Sequence, residues 1–91
     1  MTYYHVDWIE TAMEELLRIY TNADEELRRS ITAASNQADK RLKIDPEHEG
    51  ESRPDGGRIE FFPPLAVTFQ VDSANKTVTV LHVRLYGKRK K

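Results

Sequence analysis

Residues 57–83, GRIEFFPPLAVTFQVDSANKTVTVLHV, carry the pattern that decides the fold. Three runs rich in β-branched and aromatic residues predict strands at 58–62, 64–71 and 76–86. Every second position of the middle run is apolar, which is typical of a strand with one face on a core. The polar stretch 72–75, DSAN, predicts the hairpin turn between the last two strands.

The last of these runs has apolar residues at both odd and even positions. Strict alternation predicts Val78 and Val80 on one face of the strand and Leu81, Val83 and Leu85 on the other. A strand that is apolar on both faces belongs near the centre of a sheet. We therefore expect this run to be an inner strand.

The apolar residues of the N-terminal half follow a different periodicity. Residues 3–8, YYHVDW, predict a short first strand, and helical spacing then begins at Ile9 and ends near Tyr20. The buried stripe predicted for this helix is Ile9, Ala12, Met13, Leu16, Leu17 and Tyr20. Polar residues 21–24, TNAD, offer a cap for a second helix of about twenty residues, which ends before the Asp45–Pro46 pair.

The second helix has a thin, alanine-rich stripe formed by Leu27, Ile31, Ala34, Ala38 and Leu42. The short link between the helices predicts an antiparallel hairpin packed closely on one face of the sheet. Residues 46–57 are rich in proline, glycine and charge and predict an exposed loop with no apolar side chain to bury. The predicted plan is a single α+β domain over residues 1–91, ordered β-α-α-β-β-β, with a mostly antiparallel sheet.

Composition excludes several classes of protein. The absence of cysteine excludes disulfides and thiolate zinc sites, and the scattered His5, His48 and His82 do not predict a metal site or any cofactor. Apolar runs are too short for a membrane span and the N-terminus lacks the layout of a signal peptide, so we expect a cytoplasmic protein that does not bind membranes.

Charge divides unevenly along the chain. Residues 1–55 carry 7 basic and 13 acidic side chains, a balance of −6, whereas residues 56–91 carry 7 and 2, a balance of +5. This asymmetry is typical of a nucleic-acid face or of a surface that docks an acidic partner. A helical half that is acidic only for solubility would give the same totals.

The order of motifs resembles a known family. A strand, a helical hairpin and a Gly-rich loop precede G-R-I-x-F, P-L-A-V-x-F-x-V-D, a polar turn and V-x-V-L-x-V with basic residues after it. This order is similar to that of the RelE/ParE superfamily of type II toxins. The resemblance implies a bacterial toxin that is neutralised by a cognate antitoxin wrapped around part of it.

The two branches of that superfamily imply different targets. The RelE branch implies inhibition of translation by ribosome-dependent cleavage of mRNA, with the ribosome and mRNA as partners. The ParE branch implies a non-catalytic inhibitor of DNA gyrase. A third alternative is a protein that keeps the toxin fold, has lost the activity and only binds its antitoxin or RNA.

Family positions map onto a few residues of this chain. Gly87, Lys88 and Arg89 match the family's G-K-R, so the resemblance implies that Arg89 stabilises a phosphate. Arg58 matches a basic position that directs a cation toward RNA. Two other basic positions are occupied here by Ala66 and Glu60. The chain also stops at residue 91, before the segment where some members carry a catalytic tyrosine.

A substitute set is available in the last strand. His82, Arg84 and Tyr86 stand two residues apart and should project from one face. The histidine could move a proton, the arginine could hold a phosphate and the tyrosine could stack on a base or donate a proton. The alternative is a partly buried histidine, a covering arginine and an edge aromatic. Glu60 is either a solvent-facing strand residue or a general base that faces His82.

The basic C-terminal tail leaves three interpretations open. Lys88, Lys90 and Lys91 accompany Arg89 after the last strand and cannot pack in a core. They either contact RNA or the ribosome, adding a salt-dependent term to the affinity, or dock an acidic antitoxin segment, or form a solvated end. Only Arg89 has support beyond composition.

Overall fold

A five-stranded sheet forms one layer of the protein in the computed structural model, which describes residues 3–86. The strands lie in the order β1-β5-β4-β3-β2, with β1 parallel to β5 and every other pair antiparallel. Their bounds are β1 His5–Trp8, β2 Glu51–Ser52, β3 Arg58–Phe62, β4 Leu65–Asp72 and β5 Thr77–Leu85. The α+β plan and the mostly antiparallel sheet are confirmed, and β2 is an additional short strand.

Two helices cover one face of the sheet. They are α1, Glu10–Thr21, and α2, Glu25–Ile44, joined by residues 22–24. The carboxylate of Asp24 accepts a hydrogen bond from the N–H of Leu27 at 2.9 Å, which caps α2 as the TNAD stretch predicted. Neither helix within residues 3–86 has the length and apolar character needed to cross a bilayer.

The core lies between α2 and the inner face of the sheet. Ala34, Ala38 and Leu42 of α2 are fully buried against strand residues, so the alanine-rich stripe brings this helix close to the sheet. Because α1 runs mainly along β5, it presents only a narrow strip to the core. Of its predicted stripe, Ala12 is fully buried and Ile9 and Leu16 pack partly buried against the core, as expected. The prediction was wrong for Met13, Leu17 and Tyr20, which are exposed.

A β-bulge changes the facing of β5. Thr68 of β4 is opposite His82, but the next residue, Phe69, is opposite Val80, so Leu81 is an extra residue. Val83 therefore shares the core face with Val80 and is buried. The prediction that this strand is apolar on both faces was therefore wrong, because only one face is apolar. The prediction that it is an inner strand is confirmed, since β5 lies between β1 and β4.

The segment between α2 and β3 has more structure than predicted. Pro46–His48 forms a 3-10 turn, and Pro46 is fully buried, contrary to the expectation that this loop buries no apolar side chain. Gly50 has φ 68°, and a Cβ there would overlap the backbone carbonyl of Ile59. The loop thus approaches β3 so closely that only glycine fits.

Candidate functional site

The sheet face turned away from the helices carries the exposed polar and aromatic side chains of β3, β4 and β5. We call it the open face, and it consists of Ile59, Phe61, Ala66, Thr68, His82, Arg84 and Tyr86. The register aligns Ile59 with Thr68 and His82, and Phe61 with Ala66 and Arg84. The structure therefore brings together His82, Arg84 and Tyr86, the three residues that the two-residue spacing indicated.

Two aromatic rings meet on the open face. The ring centroids of Phe61 and Tyr86 lie 4.7 Å apart at 54°, a tilted arrangement that aromatic pairs favour. Phe61 is half exposed and lies opposite Ala66, and the N–H of Tyr86 donates to the carbonyl of Pro64 at 3.0 Å. The small Ala66 side chain leaves space for the rings to meet across β4. The pair offers an exposed aromatic surface beside a cation, Arg84.

Glu15 of α1 joins the helix to this face. One oxygen, Oε1, accepts the backbone N–H of Val83 at 2.9 Å. The other, Oε2, accepts Nη1 of Arg84 at 2.7 Å and lies 3.4 Å from Nδ1 of His82. The Glu15 side chain is only 16% exposed, whereas those of Arg84 and His82 are 64% and 47% exposed. A largely covered carboxylate thus contacts two exposed nitrogen-bearing side chains.

The position of Glu15 follows from the short first strand. The pairing of β1 with β5 ends at Trp8 and Val80, and the N–H of Ile9 then donates to the carbonyl of Val80 at 3.2 Å. Beyond that point α1 runs beside the edge of β5. The Val83 N–H points toward α1 and would otherwise be an unpaired edge donor, a group that folded proteins satisfy almost always. The Glu15 carboxylate satisfies it.

The environment of Glu15 has opposing effects on its pKa. Burial raises the pKa, but hydrogen bonds from the Val83 N–H, Arg84 and His82, together with the charge of Arg84, outweigh burial. The net result is a pKa below the ordinary value of 4.5. The Glu15 carboxylate is therefore ionised at neutral pH.

Arg58 does not lie with His82, Arg84 and Tyr86. It is opposite the buried Phe69, so its side chain leaves the sheet on the helix side. Its Nε donates to the carbonyl of Glu49 at 2.9 Å and its Nη2 donates to that of Gly50 at 3.1 Å. These bonds hold the loop before β2 against β3, and the predicted cation directed toward RNA is not found on the open face.

Glu60 also lies on the helix side of β3. It is opposite Val67, and its Oε2 accepts the N–H of Gly50 at 3.0 Å and lies 4.0 Å from Nη2 of Arg41. The hypothesis that Glu60 is a general base facing His82 is wrong, because the two side chains leave opposite faces of the sheet. The network that contains Glu60 instead fixes the loop to α2.

The predictions for Lys88, Arg89, Lys90 and Lys91 lie outside the described residues. Within residues 3–86, no three histidine, aspartate or glutamate side chains converge as a metal site would require. Two members of the candidate site were missed at the sequence level, Phe61 and Glu15. The paired phenylalanines of RIEFF were a signal for one exposed aromatic, whereas nothing local to Glu15 indicated its contact with β5.

Comparisons with known proteins identify the fold. No family model matches the sequence, and no curated protein matches it. The RelBE2 toxin-antitoxin complex from Mycobacterium tuberculosis gives a TM-score of 0.72 at 19% identity, covering 94% of each chain. The chromosomal ParDE system of P. aeruginosa gives 0.74 at 17%, covering 92% of this chain and 97% of the other.

The intact E. coli RelBE toxin-antitoxin complex gives a TM-score of 0.53 at 15% identity, covering 93% of this chain and 99% of the other. The chain therefore has the α+β fold shared by RelE and ParE toxins, as the order of its motifs indicated.

Proposed function

We propose that this protein is the toxin of a type II toxin-antitoxin system and that it inhibits translation by ribosome-dependent cleavage of mRNA in the cytoplasm. The observation that carries the proposal is the exposed group formed by His82, Arg84 and Tyr86 on the open face, with Phe61 beside it. Exposed aromatics next to cations suit single-stranded RNA, whose unstacked bases bind aromatic rings. Residues 1–91 act as one toxin domain.

The strand register places a cation beside one of the two positions where this chain lacks the basic residue of the family. Ribonuclease members often carry a basic residue where this chain has Ala66, and Ala66 lies directly opposite Arg84. A cation is therefore present at the paired position of the neighbouring strand, β5. Ala66 also leaves room for the Phe61–Tyr86 pair. These relations support Arg84 as the phosphate-binding cation of the open face.

The chemistry requires a proton acceptor, a cation and a proton donor. His82 takes the proton of the RNA 2′-hydroxyl, and the 2′-oxygen attacks the adjacent phosphorus. Arg84 stabilises the charge on the pentavalent phosphorane. The bond from phosphorus to the 5′-oxygen breaks, and that oxygen takes a proton from the Tyr86 hydroxyl. Water then carries the proton held by His82 to the Tyr86 oxygen, so both side chains return to their starting forms. The products are a 2′,3′-cyclic phosphate and a 5′-hydroxyl.

A cell-free bacterial translation reaction tests this function. New mRNA ends mapped by primer extension, and dependent on ribosomes, are the expected result. Arg84→Ala should lower the cleavage rate by about 100-fold, the effect of removing one donor that stabilises developing negative charge. Arg29→Ala is the matched control, since Arg29 is also exposed and pairs with one carboxylate, that of Glu25. Intact mRNA with the wild-type protein would refute the proposal.

An alternative function is inhibition of DNA gyrase without catalysis. It is favoured by Ala66 and Glu60 at positions where ribonuclease members carry cations, and by the partial neutralisation of Arg84 by Glu15 at 2.7 Å. A gyrase supercoiling assay separates the two functions: loss of supercoiling with intact mRNA supports the alternative. A protein inactive in both assays would be a relative that only binds its antitoxin.

A cognate antitoxin is the proposed protein partner, since the structural relatives were solved as complexes with antitoxins. The helical hairpin offers a docking groove of about 220 Å³ between α1 and α2. Met13, Leu17 and Tyr20 line it and remain exposed. Leu17→Asp should weaken binding of the product of a neighbouring short reading frame, measured by calorimetry, whereas Arg18→Asp just outside the groove should change it less.

A further inference from the structure

We propose that Glu15 is a positioning residue for the open face: its carboxylate holds His82 in the tautomer with the proton on Nδ1 and fixes the direction of Arg84. This inference rests on the proposed ribonuclease function for its catalytic meaning. Its structural content, the tautomer of His82, is independent of that function.

The carboxylate of Glu15 is itself held in place. The Val83 N–H binds Oε1 at 2.9 Å, and Val83 itself is held by its pairing with Val67 of β4 and by its burial in the core. The side chain is largely covered, so few other rotamers are open to it. Oε2 consequently points toward Arg84 and His82 from a fixed position.

The contact with His82 determines which ring nitrogen is free. An ionised carboxylate can only accept hydrogen bonds, so Nδ1, which lies 3.4 Å from Oε2, must be the nitrogen that carries the proton. Nε2 then has a free lone pair on a ring whose side chain is 47% exposed. This is the form of histidine that can accept the proton of a 2′-hydroxyl.

The same contact becomes stronger during the reaction. When Nε2 takes the proton, the ring becomes a cation, and its attraction to the Glu15 carboxylate increases. An interaction that is stronger in the transition state than in the ground state raises the rate of the chemical step. A carboxylate that orients a histidine and stabilises its protonated form has this effect in serine hydrolases.

Glu15 restrains Arg84 but leaves most of its hydrogen-bond donors free for a ligand. Of the five N–H donors of the Arg84 guanidinium, one on Nη1 binds Glu15 at 2.7 Å, and most of the Arg84 side chain remains exposed. The remaining donors can bind a phosphate oxygen. The same oxygen of Glu15 thus restrains both Arg84 and His82.

Glu15→Gln tests the tautomer directly. The glutamine oxygen should keep the hydrogen bond from the Val83 N–H, because that donor needs an acceptor. Its amide nitrogen then takes the place of Oε2 and donates to Nδ1 of His82, and Arg84, which has only donors, must turn away from it. The proton of the neutral ring is forced onto Nε2, and the basic lone pair turns away from the open face.

Nitrogen-15 NMR of the imidazole distinguishes the two tautomers in the whole protein. At about pH 8.5, where an ordinary histidine is neutral, the wild type should show the Nδ1–H form of His82 and Glu15→Gln the Nε2–H form. Glu14→Gln is the control, since it removes the same charge from the exposed side of α1 and should leave the wild-type form. A wild-type Nε2–H form, or an unchanged form in Glu15→Gln, would overturn the inference.

The cleavage assay gives the second measurement. Glu15→Gln should lower kcat by about 100-fold with little change in KM, within the range of general acid–base effects, and Glu14→Gln should cleave as the wild type does. Equal cleavage by wild type and Glu15→Gln would overturn the positioning role. Absence of cleavage by the wild type would refute the proposed ribonuclease function, while the NMR result would still decide the tautomer.

Discussion

Replacing Glu15 by alanine should destabilise the protein more than replacing it by glutamine. Alanine leaves the N–H of Val83 without its acceptor in a residue that is 1% exposed, which costs about 1–3 kcal/mol. Both replacements lose the ion pair with Arg84, but that arginine is mostly exposed, so solvent screening limits this loss to about 1 kcal/mol or less. The expected loss is about 1–4 kcal/mol for alanine and below about 1 kcal/mol for glutamine.

The pH dependence of stability provides an independent check. The folded pKa of Glu15 lies below its ordinary value of 4.5, so the unfolded chain binds the proton more readily than the folded protein does. The stabilisation by the Glu15 charge is therefore fully present above 4.5 and is lost as pH falls through the folded pKa. The free-energy difference between wild type and Glu15→Gln should shrink as the pH falls below 4.5.

Urea unfolding followed by the fluorescence of Trp8, the single tryptophan, measures these free energies. In a domain of this size each kcal/mol should also move the melting temperature by about 4–8 °C. Glu14→Gln is again the control and should unfold like the wild type. Equal stabilities of the alanine and glutamine variants would refute the role assigned to the Val83 hydrogen bond. A free-energy difference between wild type and Glu15→Gln that does not change with pH would refute the role assigned to the Glu15 charge.

Three further predictions concern the loop, the aromatic pair and an exposed histidine. Gly50→Ala should lower the melting temperature far more than Gly56→Ala, because both have positive φ but only Gly50 faces a backbone oxygen that a Cβ would overlap. Phe61→Ala should weaken binding of a short single-stranded RNA by about 1–3 kcal/mol in fluorescence anisotropy, and an unchanged affinity would exclude stacking there. The hydrogen bond and charge of Asp45 raise the pKa of His48, so Asp45→Asn should return that pKa to about 6.5 in an NMR titration.

Local periodicity predicted most of the fold. β3 was predicted with its observed bounds, and β4 within one residue of its observed bounds, because every second residue of β4 from Leu65 to Val71 is a large apolar residue. The two helices were also predicted closely, since a capping aspartate and the Asp45–Pro46 pair mark the limits of α2. These signals act over a few residues and are visible in one sequence.

Signals that depend on distant packing were misread. The apolar side of α1 was expected to be buried, but the helix runs along the edge of β5 and leaves Met13 and Leu17 exposed. β1 ends at Trp8, and this length determines where α1 must run. Periodicity measures how apolar a face is, and it cannot say how much of that face another element covers.

Which side chains of β3 face the helices was not predicted from the sequence. Phe62 is buried and the adjacent Phe61 is exposed, so Glu60 and Arg58 share the inner face with Phe62. The sequence does not show which of the two adjacent phenylalanines is buried. If Phe61 rather than Phe62 were buried, Arg58 would lie on the open face with the candidate site. The contact between Glu15 and Val83 spans 68 residues and had no local signal.

The bulge at Leu81 connects the core to the candidate site. Strict alternation from Val78 and Val80 would have turned His82 and Arg84 into the core, where the charge of Arg84 would need a buried partner. The extra residue reverses the facing, so Val83 enters the core and the two polar side chains turn outward. Bulges often redirect side chains near functional sites. Here the bulge also lies just before Val83, the residue that Glu15 binds, so one irregularity in β5 both completes the core and exposes His82 and Arg84 on the open face.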